Sequence, residues 1–299
     1  MNLRELEYIS AVARLRHFGK AAKACHVSQP TLSSQILKLE AELGVTIFER
    51  IRGAVRVTEQ GKAILEAAER ATHAAADIHA LAKGFKDPFS GELTLGVIPT
   101  IGPFLLPVFA GRLLRQYPKL KLTYIEDTTD RLNELLLSGE MDAAILATLP
   151  LDKALAQMPL YDEKFHVALP KGHKLCGQEQ VSLKDLETVR LLLLTEGHCL
   201  RAQALSVCSV SAHNQAIRAT SLDTLLGLVA AGHGVTLIPA LSIRTRCVSE
   251  LGISIRPITD KLAARRVNLT HRATYVRPQL LKGLSELILA QLSDKVEQI

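Results

Sequence analysis

The chain has 299 residues, 47% of them hydrophobic and 22% charged, with a formal net charge of +6. That length accommodates two or three domains of ordinary size, and the composition excludes a disordered or collagen-like chain. Met1-Asn2-Leu3-Arg4-Glu5-Leu6-Glu7 lacks the apolar segment of a secretory signal, and no apolar run approaches the ~18 residues of a membrane span, so a soluble cytoplasmic protein without membrane contact is expected. The basic balance, with a pI of about 9.1, favours a polyanionic partner, although the placement of charge decides more than its sum.

Leu3, Leu6, Ile9 and Ala13 form the stripe of an amphipathic first helix. A second short helix over about Phe18–Cys25 is followed by His26-Val27-Ser28, and a third opens with Pro30 in its first turn. Leu32, Ile36, Leu39 and Leu43 give the third helix one apolar face, and Gly44 supplies its stop. Ile47–Arg50 and Val55–Val57 flank Arg52-Gly53 and read as a two-stranded wing. Thr58 is the predicted N-cap of a long helix in which Ile64, Ala71 and Ile78 recur every seven residues, as do Ala67, Ala74 and Leu81. That narrow seam predicts a dimerising linker, with 84–91, containing Pro88, as the hinge after it.

From Glu92 onward strands alternate with helices. The strand candidates are Leu93–Ile98, Lys121–Ile125, Ala143–Ala147, Phe165–Ala168, Leu191–Leu194 and Val235–Ile238; the helices between them include Arg131–Leu137 and Leu222–Ala231. The expected fold is an α/β effector domain with a largely parallel sheet, preceded by an all-α winged helix-turn-helix and a long linker helix. The expected boundaries are 1–58 for the DNA-binding domain, 59–87 for the linker and 88–299 for the regulatory domain.

A helix that enters the major groove must present small polar side chains outward. Gln29, Pro30, Thr31, Ser33, Ser34, Gln35 and Lys38 lie off the buried face of the third helix, where hydroxyls and amides can reach base edges. Arg50, Arg52 and Arg56 surround the wing as a phosphate grip, with Arg4 and Lys20 nearby. Any one of these residues would pass for a solvated surface group; together they point to DNA.

The five cysteines (Cys25, Cys176, Cys199, Cys208 and Cys247) are an odd, scattered set that fits no disulfide scaffold. In a reducing compartment any disulfide among them would be regulatory or catalytic. Cys199 follows Thr195-Glu196-Gly197-His198 and opens a predicted helix, so the helix N-terminus, His198 and Arg201 could each stabilise its thiolate. Cys208 lies nine positions on. In one continuous helix the two side chains would point about 180° apart and sit ~13 Å apart along the axis, whereas a disulfide needs Cα atoms within roughly 7 Å. The pair can bond only if the segment unwinds. Cys25 lies on an apolar helix face and reads as a core residue.

Phe18-Gly19-Lys20-Ala21-Ala22, Val27-Ser28-Gln29-Pro30-Thr31-Leu32-Ser33, Leu43-Gly44, Phe48-Glu49-Arg50 and Thr58-Glu59-Gln60-Gly61 closely resemble the LysR-type transcription regulators. The resemblance runs over the whole chain. It implies a two-lobed effector domain like a periplasmic binding protein, with the first lobe at about 92–161 plus 268–299 and the second at about 162–267. It also implies homodimers to homotetramers acting on a double-stranded operator with RNA polymerase. Gly197-His198-Cys199-Leu200-Arg201 with Cys208, Arg218-Ala219-Thr220-Ser221-Leu222, Ile98-Pro99-Thr100-Ile101-Gly102-Pro103 and Arg265-Arg266 are similar to the OxyR, or hydrogen-peroxide-sensing, subfamily.

That subfamily resemblance implies that Cys199 is the peroxidatic thiol and Cys208 the resolving one. It further implies that Thr100, Thr129 and His198 position peroxide, that Arg266 favours the thiolate, and that a glutaredoxin- or thioredoxin-type reductant restores the thiols. No cofactor and no metal are implied. Outside the resemblance both threonines read as helix caps. The stretch Ser209–Ala216 is shorter than the subfamily pattern, and Ala216-Ile217 stands where that pattern has a histidine. Competing readings are a LysR-type regulator with a small organic effector between its lobes, a thiol enzyme, and zinc on His198, Cys199 and Cys208, which lacks a fourth ligand at a recognisable spacing.

Overall fold

A computed structural model of the chain describes residues 1–51, 54–84, 87–150, 152–208, 219–244, 250–260, 262–292 and 297–298. They form two compact units, Met1–Lys86 with Ser138–Glu140, and Asp87–Leu137 with Met141–Ile299.

The first unit contains α1 (Leu3–Leu15), α2 (Phe18–Ala24), α3 (Gln29–Leu43), the hairpin β1 (Phe48–Ile51) with β2 (Ala54–Val57), and α4 (Glu59–Gly84). Ile9, Val12, Ala21, Leu32, Leu39 and Ile47 are fully or almost fully buried where the three short helices meet. Ser28 caps α3 through the Thr31 amide, and Gly44 ends it in the left-handed conformation at φ 67°, which a residue with a Cβ adopts at a cost. The Glu40 carboxylate then accepts from the Ile47 and Phe48 amides at 2.6 and 3.0 Å and turns the chain into the hairpin. Thr58 caps α4 as expected: it accepts from the Gly61 amide at 2.8 Å and donates to the Thr46 carbonyl at 2.7 Å. Leu65 and Ala68 of α4 join the helix-turn-helix core. Of the expected seam, Ala67, Ala71, Ala74 and Ile78 point outward, Leu81 is half-buried, and Ile64 packs against the helix-turn-helix core.

The second unit is built on β3 (Gly91–Val97), β4 (Leu120–Glu126), β5 (Ala143–Leu146), β6 (Leu155–Leu169), β7 (Thr236–Pro239), β8 (Ser254–Pro257), β9 (Ala264–Arg272) and β10 (Glu297–Gln298). The strands run in the order β10-β6-β9-β5-β3-β4, with β7 and β8 also paired to β6. Around them lie α5 (Gly102–Gln116), α6 (Thr129–Ser138), α7 (Leu183–Glu187), α8 (Cys199–Cys208), α9 (Leu222–Ala230) and α10 (Pro278–Leu292).

The expected largely parallel sheet is corrected by this structure. Among the described residues only the β3–β4 and β3–β5 ladders are parallel, and β6 and β9 pair antiparallel with each other and with their other named partners. β6 runs through two sets of pairings, Leu155–Lys164 against β9 and Phe165–Leu169 against β7 and β8. Two strands that cross the unit in opposite directions and lie side by side must pair antiparallel, whatever the βα connections on either side require. Leu191–Leu194, expected as a strand, makes only isolated bridges, Leu191 to Val235 and Leu194 to Ala219. The buried Arg277 donates to the carbonyls of Pro88, Ser90 and Glu92 and ties the start of α10 to the entry of β3.

Candidate functional site

α8 begins at Cys199 itself and continues unbroken to Cys208. Leu200 is buried in the main core and Ala204 in a second cluster beneath α7, so the inner face of α8 is bound to both. The Gln203 amide donates to the Ala147 carbonyl at 2.7 Å, at the end of β5. The helical arrangement that separates the two cysteines along the axis is therefore the one observed. The side chain of Cys208, residues 209–218 with the shortened stretch, and Cys247 lie outside the described residues.

The Cys199 thiol is partly buried at the base of a crevice lined by Ile98, Pro99, Thr100, Thr128, Thr129, Gly197 and His198. The crevice is closed, with no room for a water molecule. Gly197 forms one lip at φ 90°, and a Cβ there would touch the Thr128 methyl at 3.4 Å. Thr100 is buried and Thr129 nearly so. Neither acts as a cap. The N-cap of α5 is Ile101, with no side-chain bond. The Thr100 hydroxyl instead accepts from the Arg265 guanidinium at 2.9 Å, and its carbonyl accepts at 3.1 Å. The Thr129 hydroxyl is buried without a hydrogen bond of good geometry and acts on the thiol in favour of its anion.

Burial pushes the Cys199 thiol above its ordinary pKa, against the opposing pull of Arg265, the Thr129 hydroxyl and the amides at the start of α8. Removing solvent from around a developing anion costs more here than these groups return. The sequence-level expectation of a thiol acidified by three neighbours is corrected in this respect. The helix N-terminus does favour the thiolate, but burial lowers the pKa of His198 and keeps the imidazole neutral near pH 7. Arg201 donates to the Leu194 carbonyl at 3.1 Å.

The cation that acts on the thiol is Arg265, and the expectation for Arg266 is corrected by one residue. Arg265 is inward and fully buried, with its Nε and Nη2 on one Glu163 oxygen at 2.9 and 2.8 Å. The other Glu163 oxygen accepts from the Leu241 amide at 2.8 Å, and the guanidinium lies 6.0 Å from the centre of the Phe165 ring. Arg266 is on the opposite face, half exposed, in a two-bond pair with Asp162 at 2.8 Å each. Side chains alternate along a strand, so the pairing of Glu163 with Arg265 and of Asp162 with Arg266 settles which arginine faces the crevice.

On the helix-turn-helix unit, Arg4, Gln29, Pro30, Thr31, Ser34 and Lys38 are exposed, with Ser33 and Gln35 half-buried. The Thr31 hydroxyl is engaged with Ser28 at 2.7 Å, and the Ser34 hydroxyl donates to the Thr31 carbonyl at 3.0 Å. The Arg50 side chain and all of Arg52 lie outside the described residues. Sequence reasoning passed over Lys23 and His17, which with Lys20 and Gln29 line a groove of about 410 Å³ between α2 and the start of α3. The i, i+3 spacing of Lys20 and Lys23 was the available signal.

Residues 3–62 match the model of the bacterial regulatory helix-turn-helix proteins of the lysR family, and residues 86–293 match the LysR substrate binding domain. The chain is 44% identical over 274 residues to a "Hydrogen peroxide-inducible genes activator" of Pectobacterium carotovorum subsp. carotovorum, covering 91% of this chain and 90% of that protein. Among solved structures it is similar to a cysteine-to-aspartate variant of full-length OxyR from Pseudomonas aeruginosa, with a TM-score of 0.80, 37% identity and coverage of 96% and 94%. It is also similar to a Corynebacterium glutamicum OxyR cysteine mutant with H2O2 bound, with a TM-score of 0.68, 33% identity and coverage of 98% and 93%. With helix-turn-helix, effector domain and cysteine helix on one chain, the protein belongs to the LysR family of bacterial transcription regulators, and within it to the OxyR group.

Proposed function

We propose that this chain is a DNA-binding regulator that senses hydrogen peroxide through Cys199 and Cys208 and controls antioxidant genes. The observation that carries this reading is the placement of Cys199 at the first residue of α8, in a crevice lined by Thr100 and Thr129 with Arg265 bonded to Thr100, nine residues before Cys208 on the same helix.

The Cys199 thiolate attacks one peroxide oxygen, the O–O bond breaks, and the departing hydroxide takes a proton to leave as water. The Thr100 hydroxyl already accepts from Arg265, so its own proton is free to point at peroxide. The Thr129 hydroxyl, which acts on the thiol, makes no other hydrogen bond among the described residues and can turn to peroxide, and neutral His198 can donate or accept. Peroxide is larger than water, so the crevice must widen to admit it. Cys208 then attacks the sulfenic sulfur, a second water leaves, and the S–S bond forms. That bond needs the cysteines within roughly 7 Å, so α8 unwinds, Leu200 and Ala204 lose their packing, and the lobe changes shape. A cellular thiol reductant of the glutaredoxin or thioredoxin type reverses the reaction.

The output is the spacing of several helix-turn-helix units. The outward seam of α4 suits a homodimer, extended to a tetramer through the effector domains, and RNA polymerase is the partner on DNA. Gln29, Thr31, Ser33, Ser34, Gln35 and Lys38 would contact bases and phosphates, with Arg4, Lys20, Lys23, Arg50 and Arg52 on the backbone.

A non-reducing peptide map after one equivalent of hydrogen peroxide should show a 199–208 linkage and the loss of two thiols; a map without that linkage overturns the redox reading. Cys199→Ser should still bind operator DNA, and its footprint should no longer respond to peroxide.

A further inference from the structure

We propose that Glu163 is a positioning residue for the thiol chemistry of Cys199: it anchors the Arg265 guanidinium beside the crevice and, by carrying the opposing charge, limits how strongly that guanidinium favours the thiolate. The inference deepens the reading of Cys199 as the reacting thiol and rests on it.

Glu163 has a fully buried side chain, as does Arg265 within about a hundredth of its surface. One carboxylate oxygen takes two N–H groups of Arg265 and the other takes the Leu241 amide, so the carboxylate is held from both sides and holds the arginine in turn. The remaining Arg265 bonds go to neutral acceptors, the hydroxyl and carbonyl of Thr100. Among the described residues, Arg265 from β9 and the Thr129 hydroxyl from α6 act on the thiol, neutral His198 lines the same crevice before α8, and Glu163 and Tyr161 from β6 act on Arg265. Asp127, in the loop before α6, is turned to the Thr128 amide at 2.7 Å.

A buried cation requires a matching anion nearby. With Glu163 ionised the match is complete whether or not Cys199 is charged. With Glu163 made neutral, the anions left within reach of Arg265 among the described residues are those of Cys199 and Tyr161, both of which interact electrostatically with it. Tyr161 is far too reluctant to ionise, because burial drives its phenol well above the ordinary range. The thiol is the group that responds. Glu163 thereby sets how much thiolate is present at rest, and with it the peroxide level at which the switch fires.

The test is the pH profile of Cys199 alkylation by iodoacetamide in full-length reduced protein carrying Cys208→Ser, with the modified peptide identified by mass spectrometry. Glu163→Gln keeps the shape and one acceptor for Arg265. Its midpoint should move down by about one pH unit, giving roughly tenfold more thiolate at neutral pH. A midpoint that stays or moves up overturns the proposal, because a mere brace would release Arg265 and make the thiol less acidic. If Glu163→Gln does not fold, Glu163→Asp is read in the same way: it draws the carboxylate back by one methylene and should give a smaller downward shift, and no shift overturns the idea. Asp162→Asn, on the other face of the strand, should leave the midpoint at the wild-type value, and a shift as large as that of Glu163→Gln overturns the specific role of the inner carboxylate. Alkylation reads ionisation without peroxide, so a wild-type protein that formed no 199–208 linkage would break the sensing assignment while leaving this result legible.

Discussion

Arg265 with Glu163 and Arg266 with Asp162 are both arginine–carboxylate pairs, one residue apart on the same two strands. The inner pair is sealed from solvent, shares its carboxylate with the Leu241 amide and acts on the Cys199 thiol. The outer pair is open to solvent, with its arginine about half exposed. The contact distances are nearly the same in both. What differs is the medium: in a dry interior each charge depends on its partner to remain charged, whereas water screens the outer pair and would solvate either member alone. The same kind of bond thus depends on its partner's charge on one face of the ladder and on water on the other.

Substitutions that separate the two pairs test this contrast. The largest effect is expected from Arg265→Met, which leaves the Glu163 carboxylate buried without its cation. Urea unfolding of the full chain should show the regulatory transition weakened by about 3–5 kcal/mol, and an unchanged transition would mean that water reaches the pair. Replacing both members, Glu163→Leu with Arg265→Met, should restore most of that stability, because a matched apolar pair carries no desolvation penalty. It should also leave Cys199 slower to alkylate at neutral pH than in wild type, separating stability from thiol activation.

A smaller effect concerns pH. Burial holds the Cys199 thiol above its ordinary value, so its thiolate fraction, and with it the rate of peroxide oxidation, should still be rising at about pH 8.5, the unperturbed thiol value. A rate that levels off near neutral pH would show that Arg265 outweighs burial. The smallest effect belongs to Asp162→Asn. The Arg266 bonds hold the Asp162 carboxyl below its ordinary range. Its stabilising contribution is therefore complete above the unfolded value of about 4 and disappears as pH falls through the lower folded value. Melting curves of this variant should match wild type near neutral pH and differ only at the acid end; a difference at neutral pH would mean that the outer pair shares the role of the inner one.

The helix-turn-helix was legible residue by residue, because its signals are local: the stripe of Leu32, Ile36 and Leu39, the stop at Gly44 and the cap at Thr58 each act within a turn or two of the chain. The strands of the regulatory unit were read only in part. β9, with Arg265 and Arg266 near its start, and the part of β6 before Phe165, with Asp162, Glu163 and Lys164, were not among the strand candidates, and both carry charged residues inside a ladder. Their charges are accommodated because they pair across it. Thr100 had the spacing of a cap and serves Arg265, a residue 165 positions away.

The amino-acid sequence by itself determined the helix-turn-helix, the long helix after it and the nine-residue interval that keeps Cys199 and Cys208 apart while α8 stays helical, all consequences of periodicity along one segment. Only the tertiary structure decided which arginine meets the thiol and whether that thiol is acidic at rest. Both follow from the register of β9 on β6 and from burial, and a single-residue change of register would exchange Arg265 for Arg266.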